Sequence, residues 1–157
     1  MLLYNQVGKG TYWRALHLAR HLANRGHELT VLATSRDRRL RFGSRMDAQS
    51  DVSLVEAPDM LWKGLRSGWD LWGTLRRILW VDGEKFDLIH GFESRPAVIL
   101  PALYEQRRKG TRLVLDWCDW FGRGGSVEER PNPLLRLFLR PAETLFEEHF
   151  RRYSDGT

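Results

Sequence analysis

The chain predicts an α/β domain built on a mainly parallel sheet covered on both faces. Three observations carry that prediction. Short apolar runs alternate with amphipathic helical stretches along the chain, and the runs are apolar enough to be buried on both sides. A glycine-rich turn, Gly8-Lys9-Gly10-Thr11, joins the first apolar run directly to the first helix.

Leu2-Leu3-Tyr4 reads as the first strand. Thr11 to Arg25 has helical periodicity and stops at Gly26. Tyr12, Ala15, Leu16, Ala19, Leu22 and Ala23 share one face, with Arg14, His17, His21, Asn24 and Arg25 opposite, as in a helix packed on a sheet. Glu28 to Ala33 is a second strand, and Arg36 to Arg45 an arginine-rich loop. Val52 to Ala57 is a third strand ended by Pro58, Phe86 to His90 a fourth, and Arg112 to Trp117 a fifth. Helices are expected over Trp69 to Val81, Arg95 to Arg108 and Leu134 to Arg152, with a kink or broken turn at Pro101. Tyr153 to Thr157 reads as a turn leading into another strand. It is either a short tail or the point where a larger design is cut before its last strand. One domain, 1–157, is expected.

Composition narrows the function classes. With 157 residues, 42% hydrophobic and 29% charged, the chain is an ordinary globular domain with a real core. A net charge of +5 favours anionic partners, although a basic solvated surface explains it equally well. The single cysteine, Cys118, rules out an internal disulfide and argues against structural zinc. The N-terminus lacks the pattern of a signal peptide, and no apolar run approaches the ~20 residues that span a bilayer. A cytoplasmic protein is expected.

A strand, a glycine turn and a helix N-terminus together make a site for anions, because glycine permits close backbone approach and the first helical N–H groups point outward. Two widespread phosphate-binding designs do not fit. A P-loop needs lysine followed by serine or threonine after the last glycine, whereas Lys9 sits between Gly8 and Gly10. A dinucleotide fingerprint needs a third glycine where this chain has Trp13.

A third design does. The glycine turn is followed by Leu18-Ala19-Arg20-His21-Leu22-Ala23-Asn24-Arg25-Gly26-His27-Glu28 and a second strand; Phe86-Asp87-Leu88-Ile89-His90 and Leu113-Val114-Leu115-Asp116-Trp117-Cys118-Asp119 come later. In order and spacing these resemble the N-terminal domain of family 4 glycosyltransferases, retaining enzymes of the GT-B fold. The resemblance implies a Rossmann-like, doubly wound sheet of order 3-2-1-4-5. Winding then reverses between the first and fourth strands, where ligands bind outside the carboxyl ends. It further implies a nucleotide-diphosphate sugar as donor substrate, no metal, a glycan or lipid acceptor, and a C-terminal donor-binding half that this sequence does not contain.

On that resemblance, Gly8, Lys9, Gly10 and Thr11 bind the donor's diphosphate; a bare strand–helix turn is the alternative. His90 and Glu93 approach the transferred sugar, with Glu93 in place of a second family histidine whose position here is Phe92. Asp116, Asp119 and Arg123 bind the acceptor, or the carboxylates pair with Arg123 and Arg130 as structure. Cys118, where the family often has histidine, reads as a small buried residue. Gly122-Arg123-Gly124-Gly125-Ser126 reads as a flexible basic loop, a lid or an acceptor contact.

Residues 61–80 are rich in tryptophan and arginine, with Leu65, Trp69, Trp72, Leu75 and Leu79 on one face. Two readings stand: peripheral contact with an anionic membrane at its inner face, or a helix packed on the sheet with snorkelling arginines. A free-standing nucleotide- or phosphate-binding module, or a membrane-binding module without catalysis, is the alternative function. Nucleic acid is discounted, since residues 36–45 carry no stacking aromatic beyond Phe42.

Overall fold

A computed structural model of the chain describes residues 1–38, 40–59, 68–117 and 119–157. Cys118 and the front of the Trp/Arg segment, 61–66, lie outside the described residues. The order along the chain is β1 (Leu2–Gln6), α1 (Tyr12–Ala23), β2 (Leu29–Thr34), β3 (Gly43–Met46), β4 (Val52–Ala57), α2 (Leu71–Asp82), β5 (Leu88–Phe92), α3 (Pro96–Lys109), β6 (Arg112–Asp116) and α4 (Pro133–Thr144).

Among the described residues the sheet has six strands in the order β3-β4-β2-β1-β5-β6. Without β3 this is the 3-2-1-4-5 order expected for a doubly wound sheet, and all its pairings except that of β3 are parallel. β3 corrects the sequence reading, which left Arg36 to Arg45 as a loop. The strand Gly-Ser-Arg-Met has no apolar alternation to reveal it. It forms because Asp47 accepts from the N–H of Gln49 and the hydroxyl of Ser50, turning the chain back along β4. Arg20 of α1 grips the same carboxylate through two nitrogens, at 2.9 and 2.8 Å. That fork holds Asp47 down at about 2.

Helices cover both faces. Tyr12, Ala15, Leu16 and Ala19 of α1 bury against Leu3, Val31, Val52, Leu54 and Phe92. On the other face Val81 of α2 and Val98, Ile99, Ala102 and Leu103 of α3 meet Leu2, Leu32, Val55, Ile89, Leu113 and Leu115. α3 runs through Pro101 as one 14-residue helix, so no break occurs there. The last helix is not uniform: α4 passes into a wider π-type turn at Leu145–His149 and a 3₁₀ turn at Phe150–Tyr153. Pro141 lies just before the change and supplies no N–H to its own turn. Gly156 forms a parallel bridge with Val114, and the N–H of Leu115 donates to its carbonyl at 3.0 Å.

α2 departs furthest from the pattern in its sequence. Gly73, Thr74, Arg77 and Val81 are buried, while Leu71, Trp72, Leu75 and Leu79 face outward. The helix is seated by polar groups. Asp70 caps it by accepting from the N–H of Trp72 at 3.0 Å. The buried Arg77 guanidinium donates to the Leu3 carbonyl of β1 and the Thr34 hydroxyl of β2, both at 2.8 Å. Burial lowers its pKa to about 10, with Asp70 partly opposing the shift. At that value the side chain is still charged at neutral pH, so its donors are indispensable. Replacing it by methionine (Arg77→Met) keeps the volume but removes both hydrogen bonds to the sheet. We expect a loss of about 2–4 kcal/mol in urea denaturation.

Candidate functional site

The carboxyl ends of β1, β5 and β6 lie side by side, and the switch in winding falls between β1 and β5. The turn after β1 is set by two left-handed glycines, Gly8 at φ +79° and Gly10 at φ +56°. The N–H of Lys9 donates to the Gln6 carbonyl at 3.0 Å, and that of Tyr12 to the Lys9 carbonyl at 3.2 Å. Among the described residues the N–H groups of Gly8, Gly10 and Thr11 donate to no protein acceptor.

Two side chains brace this turn. The Thr11 hydroxyl donates to the Asn5 carboxamide oxygen, so it is spent on the scaffold. Trp13 does not enter the seam between α1 and the sheet, where a third glycine would be needed. Its indole folds back, donates to the Gly8 carbonyl at 3.1 Å, and stays half exposed. Lys9 is exposed beside the open N–H groups.

β5 ends at Phe92, two residues later than its sequence suggested. His90 therefore lies within the strand, where it is half-buried and stacked on Phe92, with centroids 4.5 Å apart and planes at 19°. Phe92 is fully buried under α1. Burial lowers the pKa of His90, against an opposing pull from Asp116. Glu93 comes next, 4% exposed at φ +77°, and its N–H donates to the Asp116 carbonyl at 3.0 Å. A buried non-glycine residue in that region is strained, and such strain gathers at functional sites.

Asp116, at the end of β6, pairs with Arg14 of α1 at 2.9 Å, and the same guanidinium lies 5.6 Å from the centre of the Phe92 ring. The structure thus joins Asp116 to the α1 turn rather than to Arg123 or Arg130. Arg123 is exposed and pairs with Glu148 at 3.8 Å, and Arg130 faces Glu143. Asp119 is exposed in the following loop.

That loop is anchored at its start. Glu147 accepts from the N–H groups of Phe121 and Gly122 at 2.7 and 2.6 Å. A Cβ on Gly122 would come within 2.9 Å of the Thr144 backbone. Arg95 is the largest residue that sequence reasoning missed. It is buried 4.4 Å from the Phe121 ring centre and 5.0 Å from that of Tyr4, and it pairs with buried Glu143 at 3.3 Å. Arg14 was missed as well, since only its place one turn after Gly10 hinted at it. Among the described residues no three His, Cys, Asp or Glu side chains gather as a metal-ligand set.

Residues 9–152 match the family model described as a glycosyl transferase 4-like domain. The chain belongs to the glycosyl transferase 4-like family. No curated protein and no solved structure matches it. The family match spans the glycine turn from Lys9 onward, β5 with Glu93, and the loops after β6, and leaves Gly8 just outside.

Two measurements check the geometry. Gly10→Ala adds a Cβ 2.5 Å from the Asn5 amide at a positive φ, whereas Gly26→Ala meets nothing within 4 Å at φ +88°. Gly10→Ala is expected to cost about 2 kcal/mol in urea denaturation, about twice Gly26→Ala. For His90, the folded ring binds its proton less readily than the unfolded one. Its share of stability is complete above the ordinary histidine value of 6.5 and is lost as pH falls below it. NMR should show His90 titrating below 6.5, and His90→Gln should flatten the acid side of the stability profile.

Proposed function

We propose that this chain is the acceptor-side half of a retaining glycosyltransferase that moves a sugar from a nucleotide diphosphate to a glycan or lipid acceptor. The observation that carries the proposal is the set of open N–H groups at Gly8, Gly10 and Thr11, at the switch point of a family domain. In this reading the sugar's anomeric carbon leaves its phosphate oxygen, and the acceptor oxygen attacks on the same face. The acceptor proton passes to the departing diphosphate. The N–H groups and Lys9 hold that diphosphate as its charge grows. No metal step is invoked.

Glu93 is assigned to the sugar hydroxyls, and Asp116 with Asp119 and Arg123 to the acceptor. His90, set back in β5 beneath Phe92, is assigned the positioning of this rim. A second half that grips the nucleotide supplies the other wall. Catalysis needs both walls, so the chain by itself is expected to be inactive or nearly so. The reading places the protein in the cytoplasm, at the inner face of the membrane when the acceptor is a lipid. The outward Leu71, Trp72, Leu75 and Leu79 of α2 favour the membrane reading of residues 61–80 over the sheet-packed one.

The test is incubation of the chain with labelled uridine- and guanosine-diphosphate sugars and extracted lipid and glycan acceptors. No product above background is expected, and robust transfer by the chain alone would sink the half-enzyme reading. In calorimetry, inorganic pyrophosphate should bind, and Lys9→Ala should weaken it about fivefold. Tight binding of a free nucleotide, without need of any second half, would favour the stand-alone binding module.

A further inference from the structure

We propose that the Arg14–Asp116 pair is a latch across the candidate crevice, opened by the anion that the glycine turn receives. The incoming oxyanion takes the Arg14 guanidinium, and the freed Asp116 carboxylate becomes able to accept from an acceptor hydroxyl. The proposal rests on the diphosphate reading of the crevice and adds to it an order of events at Asp116.

Arg14 contributes to both sides of the crevice. It stands in the first turn of α1, one turn after Gly10. Among the described residues its backbone N–H donates to no backbone acceptor, as at Gly8, Gly10 and Thr11. Its side chain leaves that turn and crosses the carboxyl end of β5. The guanidinium lies 5.6 Å from the centre of the Phe92 ring and reaches Asp116, at the end of β6, at 2.9 Å. In the strand order β1-β5-β6 it therefore spans the ground between the open N–H groups and the acceptor-side carboxylate.

Two arginine–aspartate pairs on α1 show the difference between a strut and a latch. Arg20 holds Asp47 through two nitrogens, with the side chains 21% and 6% exposed, and Gln49 and Ser50 engage the same carboxylate. Arg14 holds Asp116 through one nitrogen, with the side chains 44% and 24% exposed. Water competes for both ends of such a pair, so it holds weakly. A diphosphate offers the guanidinium paired oxygens and more than one charge, which suits its planar fork better than a single carboxylate oxygen. Release also leaves the scaffold intact. The Asp116 carbonyl keeps the Glu93 N–H at 3.0 Å, so the end of β6 stays in place when its side chain turns away.

The test is calorimetry of the full chain with inorganic pyrophosphate, paired with NMR of the Arg14 Nε–H group. Arg14→Met should weaken binding about fivefold, whereas Asp116→Asn, which keeps the shape and removes the charge, should tighten it about threefold. A pair that merely braces α1 against β6 would lose stability in both variants and give no such opposite signs. Pyrophosphate added to the wild-type chain should shift the Arg14 Nε–H resonance, assigned by its loss in Arg14→Met. Both side chains are partly exposed, so folding should survive, which far-UV circular dichroism would verify. Lys9→Ala separates the latch from the reading beneath it. If Lys9→Ala weakens binding while Arg14→Met does not, the diphosphate site stands and the latch is wrong. The latch is also wrong if Asp116→Asn binds no tighter than wild type, or if the Arg14 resonance stays where it was. If the wild-type chain binds no pyrophosphate, the diphosphate reading and the latch fall together.

Discussion

Arg95 is the residue on which the carboxyl-end rim depends. It follows β5 directly, yet its guanidinium is held by groups from three other places: the Tyr4 ring of β1, the Phe121 ring after β6, and the Glu143 carboxylate of α4. A buried ion pair gains little net stability, because both ions must first leave water. It does discriminate strongly between arrangements. Burial already pushes Glu143 upward in pKa while Arg95 pulls it down, so losing the cation would strand a carboxylate with few alternatives. The loop after β6 and the last helix therefore have one low-energy way to sit on the sheet.

This explains why two helices present their apolar stripes to solvent. Amphipathicity normally turns the apolar face inward. In α2 the inward position goes to Arg77, which donates to a strand carbonyl and to a threonine hydroxyl. In α4 it goes to Glu143. Glycine assists in the first case. A Cβ on Gly73 would fall 2.6 Å from the Asp70 carboxylate that caps the helix, so the seat is shaped for a small residue. Periodicity locates such helices well, because the 3.6-residue repeat is present whichever way it faces. It cannot show orientation when a single charged residue has a buried partner far away in sequence. Leu3 is 74 residues from Arg77, and no local pattern announces that pairing.

The same distinction separates what the sequence made legible from what it did not. The alternation of apolar runs and helices announced the mainly parallel sheet, the family resemblance supplied its strand order, and β4 came out at its expected bounds. β5 slipped by two residues because Phe86 gives the run an apolar start before the ladder begins at Leu88. β3 was invisible, since edge strands are often short and charged and owe their pairing to a turn. At the site, the glycine turn was legible because glycine carries its own conformational signature. The Arg14–Asp116 and Arg95–Glu143 pairs were not, being contacts across the fold.

The rim treats its backbone N–H donors in two ways. Two groups of these donors lie along it. One, at Phe121 and Gly122, is already filled by the protein's own Glu147 carboxylate. The other, at Gly8, Gly10 and Thr11, is left open although Asp116 is near enough to be drawn toward α1. Arg14 takes that carboxylate instead, which joins β6 to α1. Thr11 could also have closed the turn by capping its own helix, but its hydroxyl is turned to Asn5. Asp116 and the Thr11 hydroxyl are thus both committed elsewhere. Open donors beside exposed Lys9 cost little in water and gain most when a multiply charged oxyanion arrives from outside.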